Sequence, residues 1–461
     1  MIRFYDIQKK VSDIQISEQR KRWFVEFMKP FLVVCMLYIV MYILRNNFKA
    51  AQPLLKEQLG YTTTELGYIG FAFSLAYGFG RLILGYFFDG KNTKKILATL
   101  LILSSISVLM LGLFLTINNV HIGWIMLFWG LNAVFQSTGG PCAYSTITKW
   151  TPRTKRGRYM GLWNSSHNLG GALAGVIALW FANTFFGGSV VGMFIGPVCI
   201  GLVIGLIGLF FGKDSPEELG WKTGEEIFGE PVDTIDQETE SISKREMIFN
   251  YVLKNPWIWI LCITNIFVYI IRIGVDNWCS LYAYEHLKFS NDVAVKTIFY
   301  YEMGALFGSM GWGYISDLFK GRRALIAIVS GVMAFGGIIW YQNASSEISL
   351  YASLFILGLC IFGPHALVSI SIAGFAPKSA VVFTVSMIGT FGYIFGDSMA
   401  KVFLAKIADP QGNGVSIFGH VLHGWGDTFT VLYISAAFMV GLFLLVAFAE
   451  ERKIRKLAKQ Q

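Results

Sequence analysis

Long apolar runs separated by short polar breaks dominate the chain. A helix needs roughly 20 mostly apolar residues to cross a bilayer. Twelve stretches meet that requirement, near 30–48, 66–88, 96–117, 122–148, 159–182, 190–211, 256–275, 293–316, 324–343, 348–373, 380–407 and 427–448. The pattern predicts an all-α integral membrane protein with twelve transmembrane helices. The first stretch is the weakest, because its uninterrupted apolar run stops at Leu44 and Arg45 follows. Residues 276–291 are too polar to span and are predicted to form a loop. The stretch 213–254 is rich in Glu, Asp, Thr and Ser and reads as a linker. The predicted organisation is therefore a six-helix bundle over 1–213, a cytoplasmic linker over 214–255 and a second six-helix bundle over 256–461.

Composition agrees with this pattern. The chain is 54% hydrophobic and 15% charged, with a mean hydropathy of +0.54. Soluble domains run at about 45–50% apolar and about 25% charged. An ordinary soluble enzyme and a disordered chain are both excluded. Six cysteines stand apart, with no C-x-x-C spacing, so neither a zinc ribbon nor a redox pair is expected. The first 30 residues are too long, polar and basic for a signal peptide, and the first apolar run reads as a retained span.

The net charge of +9 takes its meaning from its distribution. Lys and Arg are enriched in cytoplasmic loops. With the N-terminus inside, inside segments carry 29 of the 38 basic residues, while outside loops hold only Lys49, Lys56 and Lys288. Both termini are predicted to be cytoplasmic. The positive charge then reports topology, and no nucleic-acid partner is expected.

Two short repeats divide the chain in half. Gly85-Tyr86-x-x-Asp89, followed by Lys94 and Lys95, recurs as Gly313-Tyr314-x-x-Asp317, followed by Arg322 and Arg323. Tyr42-Ile43-Leu44-Arg45 recurs as Tyr269-Ile270-Ile271-Arg272 at nearly the same offset. The two acidic-basic loops are expected to act as gating or folding elements at cytoplasmic turns.

Six basic residues fall inside the spans: Arg45, Arg81, Arg272, Lys296, Lys401 and Lys406. Charge deep in a span is costly and marks a pathway, an ion pair or a snorkelling end. Tyr38, Tyr42 and Arg45 share one helical face. Arg45 either faces the bundle interior or snorkels from the outer end of a short span. Arg272 shares a face with Asn265 and Tyr269, and Asp276 one turn later offers it a partner. An Arg fork matches phosphate oxygens bidentately, so two forks on opposite halves would suit a small phosphorylated anion. Arg81, one turn after Tyr77, either widens that positive field or is structural. Asp397 and Lys401, spaced i, i+4, read as a neutralising pair, and Lys406 as a snorkelling residue.

The fourth span contains Gln136-Ser137-Thr138-Gly139-Gly140-Pro141, and Gln136, like Tyr269, is a candidate cavity residue. In the fifth, Asn164, His167, Asn168 and Gly171 share a face. Close helix approach through glycine and hydrogen bonding between helices is one reading. Donation from His167 to a phosphate is the other. His420-x-x-His423 has loose metal spacing but no third ligand, so no metal is expected. Nucleotide-binding P-loop, H-E-x-x-H and G-x-S-x-G patterns are absent, so neither direct use of ATP nor chemistry on a substrate is expected.

These stretches carry a resemblance. Residues 41–48, Asp89-Gly90-Lys91-Asn92-Thr93-Lys94, 135–157, 163–171, 251–278, Phe362-Gly363-Pro364 and 450–455 resemble the organophosphate:inorganic-phosphate antiporters of the major facilitator superfamily. Ser145-Thr146-Ile147-Thr148-Lys149-Trp150-Thr151-Pro152-Arg153 points to the hexose-phosphate branch. The resemblance implies the major facilitator fold, with two pseudo-symmetric six-helix bundles. It implies that Arg45 and Arg272 bind phosphate, that His167 lies in the cavity, and that Tyr38, Tyr42, Arg81, Asn164 and Tyr393 contact substrate. It implies import of a hexose phosphate, such as glucose 6-phosphate, in exchange for inorganic phosphate. A monomer in a bacterial inner membrane, without a cofactor, is expected. One departure concerns the eleventh span, where the hexose-phosphate branch carries an intramembrane Asp and Lys. Val385 and Ile388 stand there instead, which puts fine substrate preference in doubt. Within the same fold, a sugar-phosphate receptor and a carrier of glycerol 3-phosphate, phosphoglycerate or phosphoenolpyruvate remain open.

Overall fold

The computed structural model of the chain describes residues 5–6, 14–88, 91–117, 121–229, 246, 248–319, 322–371, 375, 381–417 and 419–458. Among the described residues helix dominates, and eight helices are long and apolar enough to cross a bilayer. The chain forms two compact units. One comprises Met1–Ala51 and Leu75–Thr234, the other Gln52–Ser74 and Ile235–Gln461.

The first helix, α1, runs Ile16–Leu59, far beyond the predicted 30–48. Its 44 residues extend about 66 Å at the usual rise. The residues flanking the apolar run are mostly Lys, Glu, Gln, Arg and Leu, good helix formers, and the helix ends where Gly60 takes φ +72°. Arg45 is therefore an interior residue of a long helix, with 14 residues beyond it.

The first unit continues with the second half of α2 (Thr63–Phe88), α3 (Thr93–Phe114), α4 (Ile122–Gln136), α5 (Gly139–Trp150), α6 (Arg153–Phe185) and α7 (Val190–Phe210). Helix α3 packs on α7 and α4, and α6 on α7. The predicted fourth span is two helices, broken at Ser137 and Thr138. Pro141 cannot donate to the carbonyl one turn back. Ser137 donates to the Val134 carbonyl through both its amide and its hydroxyl. Near the start of α1, Trp23, Phe27 and Phe31 pack on Tyr159 of α6, and Trp23 Nε1 donates to the Trp150 carbonyl at 2.8 Å.

In the second unit, α8 runs Pro256–Glu285, α9 Asn291–Leu318, α10 Arg323–Gln342, α11 Glu347–Ser371, α12 Val381–Phe391 and α13 Trp425–Ala458. The loop predicted over 276–291 is a correction: helix α8 continues through most of it. Asp276, Asn277, Trp278, Cys279 and Ser280 are buried in that continuation, and Trp278 Nε1 donates to the Ala400 carbonyl at 2.8 Å. These polar residues are buried and not turned to a loop's solvent. Beyond α12 the helix continues in widened turns over Gly392–Asp397 and Met399–Phe403, then Leu404–Ala408. A Cβ at Gly392 would press on Asn265 and Tyr269. A short hairpin, Val415–Ile417 with His420–Leu422, precedes α13.

Residues 52–74 join this unit through polar contacts. Lys56 pairs with Glu285. The Thr64 hydroxyl donates to Asp409 Oδ2 at 2.5 Å, and Tyr284 donates to Glu57 at 2.8 Å. Asp397 and Lys401 form the expected pair at 3.0 Å, completed by Ser74, which donates to Asp397 at 2.6 Å and accepts from Lys401 at 2.7 Å.

Candidate functional site

Each unit builds one arginine-centred half-site. In the first, Arg45 projects from α1 between two phenol rings, 4.4 Å from the centroid of Tyr42 and 4.7 Å from that of Tyr77. Its Nε donates to Gln136 Oε1 at 3.0 Å. Gln136 is buried at the end of α4 and uses its other end fully. Its Nε2 donates to Asn132 at 2.9 Å and to Ser104 at 3.1 Å, and Asn132 donates to the Leu44 carbonyl. With both ends engaged, the amide oxygen is fixed towards the guanidinium.

Aromatic rings continue the half-site. Tyr38 lies 5.2 Å from Tyr42 and 4.9 Å from Trp163, and Tyr42 lies 5.3 Å from His167. Gly170 permits this approach of α6 to α1, since a Cβ there would overlap the Ile39 carbonyl. His167 Nδ1 contacts the Asn164 carbonyl, while the Asn164 residue itself is exposed. Arg81 is exposed further along α2.

The second half-site follows the same plan. Arg272 projects from α8 over the rings of Phe362, at 4.6 Å, and Tyr269, at 5.7 Å. Its Nη1 donates to His365 Nε2 at 3.3 Å. Tyr269 packs on His365 and on Tyr393, at 5.5 and 5.2 Å. Tyr301 of α9 donates to the Arg272 carbonyl at 3.0 Å. Among the described residues no carboxylate forms an ion pair with Arg272, so the partner that Asp276 offered on paper is not taken up. Asn265 points elsewhere, donating to the Ile388 carbonyl at 2.9 Å. Ile388 is buried, and the Val385 side chain lies outside the described residues.

The structure thus groups Tyr38, Tyr42, Arg45, Gln136 and His167, and separately Tyr269, Arg272 and Tyr393. It adds Tyr77, Asn132 and Ser104 to the first half-site and Phe362, His365 and Tyr301 to the second. A signal existed for two of these. Tyr77 lies one turn before Arg81, and His365 directly follows Phe362-Gly363-Pro364.

The repeated loops have partners that their spacing did not reveal. Lys94 is buried and donates to the carbonyls of Gly208 and Phe211 at 2.6 and 3.0 Å. Asp214 accepts from the Lys94 amide at 2.8 Å, from Thr146 at 2.7 Å and from Lys149 Nζ at 2.5 Å. Asn92 caps α3 by accepting from the Lys95 amide. In the second unit Glu450 accepts from the Ala324 amide at 2.9 Å, and Arg322 pairs with Glu451 at 3.3 Å. In both halves an acid after or near the end of the sixth helix thus sits at the N-terminus of the third, where the helix dipole favours it. Arg323 opens α10. Asp89 lies outside the described residues, as does the side chain of Asp317.

Helical units with this many long apolar helices define an integral membrane protein. The chain belongs to the major facilitator superfamily, whose profile matches residues 34–397. It is 46% identical over 457 residues, 99% of this chain and 97% of the relative, to the hexose-6-phosphate:phosphate antiporter of Salmonella typhimurium. It is 32% identical over 388 residues, 83% of this chain and 86% of the relative, to the glycerol-3-phosphate transporter of Bacillus subtilis. Among solved structures, a bacterial homologue of the human lysosomal transporter Spinster matches with a TM-score of 0.65 at 17% identity, covering 91% of this chain and 95% of that one. That likeness supports the fold alone.

Proposed function

We propose that the protein exchanges a hexose phosphate, such as glucose 6-phosphate, for inorganic phosphate across a bacterial inner membrane, with both termini cytoplasmic. The curated relative covering nearly the whole chain performs hexose-6-phosphate:phosphate exchange by name. The observation that carries the site is Arg272. Its guanidinium is held by an imidazole and two aromatic faces, with no ion pair among the described residues. Such a group keeps its charge for an incoming anion.

In this reading Arg45 and Arg272 take the phosphate oxygens. Tyr42, Tyr77, Tyr269 and Phe362 hold the guanidinium planes and exclude water from them. His167, Tyr38 and Tyr393 are left to meet the sugar hydroxyls. Anion binding neutralises the arginines and lowers the cost of enclosing them. The loaded protein then exposes the anion on the other side, and the phosphate gradient drives uptake. No bond of the substrate is made or broken. The separate charge clusters at Asp214 and Glu450 brace the third helix of each half and are assigned to gating.

The test is phosphate exchange in proteoliposomes containing only this protein. Arg45→Lys and Arg272→Lys are each expected to reduce exchange by about 100-fold, because an ammonium cannot reproduce a bidentate fork. Near-normal exchange by either variant removes that arginine from the site. Competition by a panel of organophosphates decides the cargo. Apolar Val385 and Ile388 favour a second reading, in which a smaller ester such as glycerol 3-phosphate competes better than glucose 6-phosphate.

A further inference from the structure

The two half-sites hold their arginines by one construction. A ring from the arginine's own helix and a ring from another helix cover the guanidinium, and an uncharged acceptor from a further position receives one of its N–H groups. For Arg45 the acceptor is the Gln136 amide oxygen, at 3.0 Å. For Arg272 it is the His365 ring, at 3.3 Å. A guanidinium only donates, so His365 Nε2 must be the lone-pair nitrogen, with its hydrogen on Nδ1. A Gln Oε1 and a His Nε2 project a similar distance from the backbone, so each reaches the guanidinium without shifting its helix.

The backbone prepares the position. Pro364 removes an N–H from the ladder of α11. Gly363 lets that helix lie against Ser330 and Trp312, where a Cβ would collide. Tyr269 packs edge-on against the imidazole at 5.5 Å, and Phe362 does the same from one turn away at 5.5 Å. The ring is thus fixed by packing as well as by Arg272.

We infer that His365 is the positioning residue for Arg272, performing for the second half-site what Gln136 performs for the first. The inference rests on the phosphate-binding role proposed for Arg272. A guanidinium tethered through Nη1 has its plane held in one orientation, so a bound phosphate finds a donating edge already oriented. Without the tether the side chain samples more rotamers, and ordering it on binding weakens affinity. The effect therefore belongs in substrate affinity and not in the turnover of loaded carrier.

The experiment uses the full-length protein in proteoliposomes, with KM and kcat for phosphate exchange, and equilibrium binding of radiolabelled glucose 6-phosphate to purified protein. His365→Leu is expected to raise KM about tenfold, the scale of one hydrogen bond to a charged group, while kcat changes less than about threefold. His365→Gln restores the acceptor and is expected to bring KM back to within about threefold of the native value. His365→Asn is polar but too short to reach Arg272, so it is expected to behave like His365→Leu; it replaces that variant if Leu prevents assembly. In an Arg272→Lys background, His365→Leu is expected to add little further loss of binding, because both changes remove the same oriented fork. Native affinity in His365→Leu or His365→Asn, or a loss of the same size in the Arg272→Lys background, overturns the inference while leaving Arg272 in place. Native binding by Arg272→Lys alone overturns the role of Arg272 itself, and this inference with it.

Discussion

The Arg45 guanidinium meets an uncharged acceptor in Gln136, and Gln136 is the residue where the effect of placing a charge there can be tested most sharply. Its oxygen meets Arg45 and its nitrogen meets Asn132 and Ser104. Gln136→Glu keeps the shape but places a carboxylate on the arginine. The resulting ion pair competes with phosphate, and the Nε2 donor to Asn132 and Ser104 is replaced by an oxygen that only accepts. Exchange is expected to fall by about 100-fold, the upper range for one charge-assisted hydrogen bond. The protein is still expected to insert and purify as a folded carrier. Proteoliposome exchange at several phosphate concentrations checks this, and a rate within about threefold of native at low phosphate contradicts it. The arginines were legible as residues, since charge in a span is rare. Gln136 was legible as a cavity candidate, but its pairing with Arg45 was not, and His365 was not singled out, because neither stands at helical spacing from its arginine. Both meet it from another helix, and single-chain periodicity carries no signal of that.

At the scale of elements, the polar clusters make distinct predictions. Asp397 and Lys401 are nearly buried and share Ser74. Lys401→Met leaves the carboxylate buried beside Ser74 alone, and breaking such a pair from one side costs about 3–5 kcal/mol. Asp397→Leu with Lys401→Met removes both charges and is expected to recover most of the loss. Thermal unfolding in detergent reads the difference; equal melting of the single and double variants would show that the pair is not the cause. A second cluster lies outside the spans. Burial, with the Asp214 carboxylate beside it, pushes the Glu218 carboxyl up from its usual range. An acid with a raised folded value favours the folded state in its neutral form. The stability it contributes is present below the ordinary Glu range and is lost as pH rises through the shifted value. Melting is therefore expected to fall more steeply as pH rises above the ordinary Glu range in the native chain than in Glu218→Gln. Identical slopes would remove Glu218 from that dependence. Helix identity was largely legible from apolar runs, but helix ends were not. Residues 276–285 looked like loop because Asp276, Asn277 and Ser280 are polar, yet they are buried against neighbours. Ser137 and Thr138 break a run that hydropathy alone joins.

For the whole molecule, the duplicated pattern was the most informative feature of the sequence. The recurrence of Tyr42–Arg45 as Tyr269–Arg272 has a counterpart in each unit, where the arginine lies over a tyrosine ring one turn earlier. The assignment of residues 52–74 to the second unit was not legible, because it depends on Lys56, Thr64 and Ser74 meeting residues more than two hundred positions away. The consequence of the duplicated charge is kinetic. To return empty, the carrier must enclose Arg272 without an anion, and enclosing an unneutralised charge costs several kcal/mol. Each 1.36 kcal/mol slows a step tenfold, so net movement is expected to run at least about 100-fold slower than exchange. In proteoliposomes loaded with labelled phosphate, efflux into buffer lacking any phosphate or ester is then nearly arrested, and adding external phosphate or glucose 6-phosphate releases it. Added sulfate or chloride at the same ionic strength serves as the control, since mere screening of surface charge would act equally with every salt. If efflux proceeds at the same rate with and without a trans anion, the empty carrier crosses freely. Enclosure of Arg272 is then not the barrier that couples the two fluxes.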